Sequence, residues 1–297
     1  MKNYDMHIFN VPEIICIDKF FTMFIMETEE GDYSVGEAHD FWECTYVISG
    51  KARVCINGRV YMVNQGDLIL YKPMEFHQFF VDDDKTATFF TFSFSLKSKE
   101  EYFLRDNVYR LDDNQTGIIK KMIDIVRSKT QFYPYSEKEI EEQIKTNINF
   151  KFIKTLFALE VNENDMATMI KYIYRLFLDI EEENSAISES DSPHSRLFKN
   201  AVSYMSNNLE SNLTISDVAK HCCVSETSLK NIFLEFSQLG VHKYFFKLKI
   251  NRAAALLKEG KTARAIAYEL GFHSQEYFST AFKRETGLSP RDYRNRR

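Results

Sequence analysis

Proline and glycine are scarce, at 5 and 10 of 297 residues, which excludes collagen-like and Gly/Pro-rich low-complexity chains. Cysteine is rare too. Its odd count of five, with no framework spacing, argues against a disulfide scaffold and for a reducing compartment. No run approaches the ~20 apolar residues of a membrane span, and Asp5, Glu13 and Asp18 interrupt the apolar N-terminal stretch, so no secretory leader is expected there. Tryptophan occurs once, as Trp42. There is no Gly-rich phosphate loop, Cys/His zinc spacing or nucleophile elbow. The expectation is a cytoplasmic protein with no membrane contact, no cofactor and no enzymatic activity. What is present is 44% hydrophobic and 27% charged, enough to build packed cores in about two domains.

The net charge of −5 hides an asymmetry. Residues 194–297 hold 17 basic against 9 acidic side chains, a balance of +8, which leaves −13 for residues 1–193. A split this strong suggests that one half meets a polyanion and the other does not.

Residues 30–96 read as short strands: Phe41–Ile48, Ala52–Ile56, Val60–Val63, Leu68–Tyr71, Phe76–Val81 and Thr86–Phe94. Asn57-Gly58 is a two-residue hairpin signal, and Gln65-Gly66-Asp67 marks another turn. Regular strands without intervening helices favour an antiparallel barrel or sandwich. Near residue 114 the period changes. Ile118, Ile119, Met122, Ile123 and Val126 recur at helical spacing, as do Ile144, Ile148, Phe152, Thr155 and Leu159, and then Met166, Met169, Ile170, Ile173, Phe177 and Ile180. These stripes suit either domain core or a protein–protein face. Glu181–Pro193 is acidic, serine-rich and aperiodic, which reads as a solvated linker where the charge changes sign.

The basic half repeats itself. Val218-Ala219 overlays Ile266-Ala267, and Ser225, Leu229, Phe233 and Tyr244 overlay Ser274, Phe278, Phe282 and Tyr293. Each copy reads as a helix, a short turn, an N-cap serine and a second helix, with Thr214 and Thr262 opening the first helices. This is helix-turn-helix logic, in which the first helix braces and the second lays its N-terminal face in a major groove.

The stretch AIAYELGFHSQEYFSTAFKRETGLSPRDYR, residues 265–294, closely resembles the second helix-turn-helix of AraC/XylS-type transcriptional regulators. The first copy departs from that pattern, with Cys223 at the turn glycine, Asn231 where arginine is common, and Gln238 and Val241 where Gly and Pro are expected. Thr280 replaces a frequent arginine in the second copy. The resemblance implies two recognition helices in successive major grooves. The candidate base contacts are Glu226, Thr227, Ser228, Lys230 and Asn231 in one and Gln275, Glu276, Ser279 and Thr280 in the other. Lys247, Arg252, Lys283, Arg284, Arg291 and Arg294 are candidate phosphate contacts.

The acidic half resembles, through His39, Glu43, Tyr46-Val47, Gly50, Gly66-Asp67, Pro73 and His77, the cupin-type effector domain that precedes this DNA-binding unit in many relatives. Metal-binding cupins use a His-x-His pair, but Phe41 stands where the second histidine belongs. An aromatic in place of a ligand favours an organic effector over a metal, although His39, Glu43 and His77 retain the two-His-one-carboxylate composition. With Tyr71 they form the candidate effector site. Strand alternation sets Trp42 and Tyr46 on the face opposite Glu43.

The expected fold class is α+β multidomain: a cupin-like β-barrel with following helices, then an all-α double helix-turn-helix. The expected divisions are residues 1–113 for the effector domain, 114–183 for a helical dimerisation region, 184–194 for the linker and 195–297 for the DNA-binding domain. The resemblance implies an effector-controlled homodimeric activator that meets double-stranded DNA and RNA polymerase, with a sugar as one effector class. Two other readings stay open: a metal-dependent cupin enzyme fused to a DNA-binding module, and a dimeric regulator without a ligand.

Overall fold

The computed structural model describes residues 16–34, 36–82, 86–96, 106–131, 158–159, 163–183 and 186–295. Seven antiparallel strands form the N-terminal half: β1 (Ile17–Glu27), β2 (Trp42–Ile56), β3 (Arg59–Asn64), β4 (Asp67–Tyr71), β5 (His77–Phe80), β6 (Ala87–Leu96) and β7 (Val108–Arg110). One sheet runs β1-β6-β2-β4-β7, while β3 and β5 flank the far half of β2.

The two segments read on either side of Gly50 are one strand. Gly50 has φ +81, and a side chain there would strike the Thr86 carbonyl, so the glycine bends β2 instead of ending it. Before the bend β2 pairs with β4 and β6, and after it with β3 and β5. Asn57 and Gly58, at φ 48 and 82, make the expected tight turn. β1 and β7 have no counterpart among the expected strands.

Helices α1 (Asp113–Lys129) and α2 (Glu163–Glu183) cover the larger sheet. Ile119, Met122, Val126, Met169, Ile173, Phe177 and Ile180 are buried in one core with Cys44, Leu70, Phe92 and Phe94. The first and third apolar stripes are therefore largely covered within the chain's own core. The middle helical stripe, residues 144–155, lies outside the described residues. Leu159, expected in that helix, instead belongs to a two-residue strand β9 (Ala158–Leu159) paired with β8 (Thr130–Gln131).

The segment read as a solvated linker is docked. Ile187 N donates to Val108 O at 2.7 Å, Ser190 N donates to Val60 O at 2.6 Å, and Glu189 pairs with Lys199. Two of its backbone N–H groups bond to the sheet, which composition does not reveal.

The C-terminal half comprises α3 (Pro193–Ser206), α4 (Ile215–His221), α5 (Glu226–Ser237), α6 (Val241–Lys258), α7 (Ala263–Glu269), α8 (Gln275–Thr286) and α9 (Pro290–Asn295). It is packed onto the β-domain. Cys55, Val60, Phe76 and Phe80 share a core with Phe198, Val202, Phe233, Phe236 and Tyr244.

Candidate nucleic-acid interface and effector pocket

The repeat folds as its caps demand. Thr214 and Asp217 form a reciprocal capping box on α4, and Thr262 accepts from Ala265 N on α7. Ser225 and Ser274 accept from Ser228 N and Tyr277 N, starting α5 and α8. Val218, Ala219, Ile266 and Ala267 are buried where each brace helix meets its partner, and Leu229, Phe233, Phe278 and Phe282 fill the cores beneath.

The departures of the first copy keep the geometry of the second. Cys223 and Gly271 both occupy the left-handed turn, at φ 56 and 64. Gln238 takes the left-handed C-cap that Gly287 takes after α8. A side chain at Gly271 would also strike the Glu210 carbonyl. Gly271→Ala should therefore cost roughly 2–4 kcal/mol, backbone strain plus collision. Cys223→Gly should stay within about 1 kcal/mol of the parent, since relieved strain offsets lost chain stiffness. Urea unfolding of both variants checks this.

Glu226, Thr227, Lys230, Asn231, Gln275, Glu276 and Thr280 are exposed on their recognition helices, and Ser228 and Ser279 are half-buried. Lys230 lies 3.7 Å from Glu226. Lys283, Arg284, Arg291 and Arg294 are exposed, while Arg252 turns toward Glu259 at 3.0 Å. Lys247 is placed differently from the other candidate phosphate contacts. Its Nζ is held against the β-domain, donating to Gly36 O at 3.2 Å, with Glu285 at 3.9 Å. Burial lowers its pKa. Lys249, which the sequence reading passed over, is buried beneath the second turn, where it donates to Leu270 O at 2.9 Å.

At the mouth of the β-domain the predicted effector residues converge. Glu43 on β2 stands opposite Tyr71 on β4, His77 opens β5, and His39 precedes β2. One ligand atom from each of His39, Glu43 and His77 lies within 4.8 Å of the others. His39 and His77 lie edge to face at 5.0 Å, and Tyr71 stacks on His77 at 4.0 Å. Phe41 stacks on His39 at 3.9 Å, with Phe21 beyond it at 4.6 Å. The residue that replaced a ligand thus forms a wall. Trp42 and Tyr46 belong to the helix-covered core on the opposite face, as alternation requires.

Each imidazole is oriented by its Nδ1, which must donate to a carbonyl: Phe41 O for His39 and Glu75 O for His77, both at 2.9 Å. Both Nε2 atoms are buried without a hydrogen-bond partner. Burial, reinforced by the neighbouring His39 charge, lowers the His77 pKa to about 4, so its Nε2 presents a lone pair at neutral pH. Burial also opposes charge on His39, but Glu43, 3.5 Å away, and Glu37 outweigh it and raise its pKa. Glu43 is lowered in turn, because His39 and His77 overcome its burial. Burial and the Glu43 charge raise Glu37. This donor set fits a divalent cation: two oriented imidazoles and one carboxylate whose ligand atoms lie within 4.8 Å of one another. His39, Glu43 and His77 would hold the ion, which would supply a Lewis-acidic anchor for oxygen atoms of a ligand.

The segment carrying His39 also touches the helical half. Lys258 at the end of α6 pairs with Asp40 at 2.8 Å, Lys247 bonds Gly36 O, and Gln78 Nε2 donates to Ser237 O at 3.0 Å.

Residues 218–296 match the helix-turn-helix domain family and residues 24–93 match the cupin domain family. The chain joins a cupin domain to an AraC-type helix-turn-helix domain. The Msm operon regulatory protein of Streptococcus mutans is 24% identical over 295 residues, 97% of each chain. The HTH-type transcriptional regulator ArgR of Pseudomonas aeruginosa is 36% identical over 107 residues, 36% of this chain and 32% of that one. The arabinose operon regulatory protein of Escherichia coli is 34% identical over 112 residues, 37% of this chain and 38% of that one. These last two similarities thus cover only about a third of each relative. The helix-turn-helix match begins within the first of the two units, and the cupin match spans His39, Glu43, Tyr71 and His77. Among the described residues no helix is long and apolar enough to cross a membrane.

Proposed function

We propose that this chain is a sequence-specific, DNA-binding transcriptional regulator whose cupin domain binds a small-molecule effector. The observation that carries this is the pair of equivalent recognition helices, whose polar N-terminal faces are exposed while their apolar faces are buried. The base edges fall to Asn231 and Gln275, which suit adenine, and to Glu226 and Glu276, which accept from cytosine. Lys283, Arg284, Arg291 and Arg294 position the domain on phosphates. Binding to duplex DNA across a salt series tests the reading. Steep salt dependence with a surviving sequence preference supports it, and no binding at low salt defeats it.

The effector enters at His39, Glu43, Tyr71 and His77, beside the aromatic wall. Its capture bears on residues 36–40, and through Lys247 and Lys258 on α6, the helix joining the two DNA-binding units. The protein acts in the cytoplasm as a homodimeric activator that engages RNA polymerase. A sugar is one effector class, in keeping with the relative named for the arabinose operon.

A second reading of the same pocket rests on the two unpartnered, oriented Nε2 atoms: a divalent cation seats the effector there. Titration of the full chain with Mn²⁺ or Zn²⁺ should show one site per chain that His77→Gln removes. No saturable binding leaves the purely organic site.

A further inference from the structure

Among the described residues of the C-terminal half, the exposed large apolar side chains are Leu234 on α5, Tyr268 on α7 and Tyr277 on α8. Tyr277 has ring neighbours, Phe272 at 6.3 Å and His273 at 6.2 Å, and Tyr268 lies on a brace helix. Leu234 is placed otherwise. It is 49% exposed, and the core face of its helix is made by Leu229, Ile232, Phe233 and Phe236 instead. Thr227, Lys230 and Asn231 stand seven, four and three residues before it, so all four share one helical face, and all four are exposed. A recognition helix lying in a major groove reads bases with side chains at this spacing. A single exposed leucine is ordinary, and its place on the reading face is what gives this one meaning.

The repeat sharpens the point. Counting from the overlaid Phe233 and Phe282, Leu234 and Glu235 of α5 stand where α8 has Lys283 and Arg284. The two cations of α8 suit phosphates. The first helix offers in their place a branched alkyl group and a carboxylate, the latter 3.0 Å from His194. Leucine has neither charge nor hydrogen bond to give to a DNA backbone. What it can meet in the major groove is the thymine methyl, the apolar group on the base edges.

We propose that Leu234 is a specificity-determining residue of the first unit, packing on a thymine methyl in the half-site whose adenine Asn231 reads. The two recognition helices then read unlike sequences. The first half-site requires a thymine, and the second, facing Lys283 at the equivalent position, has no such methyl requirement. This inference rests on the DNA-binding reading above and adds to it one residue and the base it selects.

The test uses the full chain and duplex DNA. Selection from a random-sequence duplex library gives the preferred site. Each thymine in it is then replaced singly by deoxyuridine, which removes the methyl and keeps every hydrogen-bonding group. One such replacement should weaken binding about three- to fivefold, the worth of one buried methyl group. Leu234→Ala should bind the thymine and deoxyuridine duplexes alike while keeping the adenine preference that Asn231 sets. Leu234→Lys, which copies the second unit, should lose the methyl effect as well. Sequence-specific binding in which no single replacement matters, or a methyl effect that survives in Leu234→Ala, would overturn this assignment and leave the DNA-binding reading standing. A chain that selects no sequence overturns both.

Discussion

Tyr244→Ala should lose about 3–5 kcal/mol of stability, the cost of emptying a well-packed aromatic site. Tyr244 is fully buried, and its ring meets Phe76 of the cupin at 5.2 Å and Phe198 and Phe233 of the helical half at 5.6 and 5.3 Å. It is one of the contacts through which both halves share one core. Its hydroxyl is buried beside the Cys55 thiol, a weak partner at most. Tyr244→Phe should therefore fall within about 1 kcal/mol of the parent, since it removes a buried polar group and keeps the packing. Two signals separate the halves during urea unfolding. Fluorescence of Trp42, the single tryptophan, follows the cupin side, and far-ultraviolet dichroism follows the helices. The alanine variant should move both midpoints down. A shift confined to the helical signal would mean that the shared core does not couple the halves.

Loss of base contacts should have the second large effect. Asn231→Ala and Gln275→Ala should each weaken the preferred site by about 1–3 kcal/mol, or about 5- to 150-fold, while non-specific binding barely changes. Phosphate contacts behave differently. Lys283→Ala should weaken all sequences alike and reduce the salt slope by about one. Lys247→Ala supplies the contrast, because that side chain is held by Gly36 O and Glu285. Its salt slope should match the parent. A slope reduced as much as in Lys283→Ala would return Lys247 to the DNA face.

The double helix-turn-helix was legible in the sequence because its determinants are local. N-caps act on the backbone three residues ahead, and the apolar positions follow the helical period. The substitutions at Cys223 and Gln238 concealed nothing essential, since both residues adopt the left-handed geometry that glycine adopts in the second copy. The cupin half was less legible. β1 carries a nearly continuous apolar run rather than alternation, and β7 has three residues, too few to show a period. Gly50 reads as an end, yet it bends a strand whose two halves take different partners. The serine-rich segment before α3 has the composition of a linker, but its backbone bonds to β3 and β7 are invisible to composition.

His39, Glu43, Tyr71 and His77 were identifiable as residue types in a resembling pattern. Their convergence, the wall made by Phe41 and the orientation of the two imidazoles were not. From the sequence alone came the caps that start the helix-turn-helix helices, the repeat, the charge division and the inventory of candidate side chains. The tertiary structure decided which of those side chains meet. The bonds from Gln78 to Ser237 and from Lys247 to Gly36 join positions 159 and 211 residues apart. Such contacts depend on which faces the packed halves bury against each other, and no short-range period encodes them.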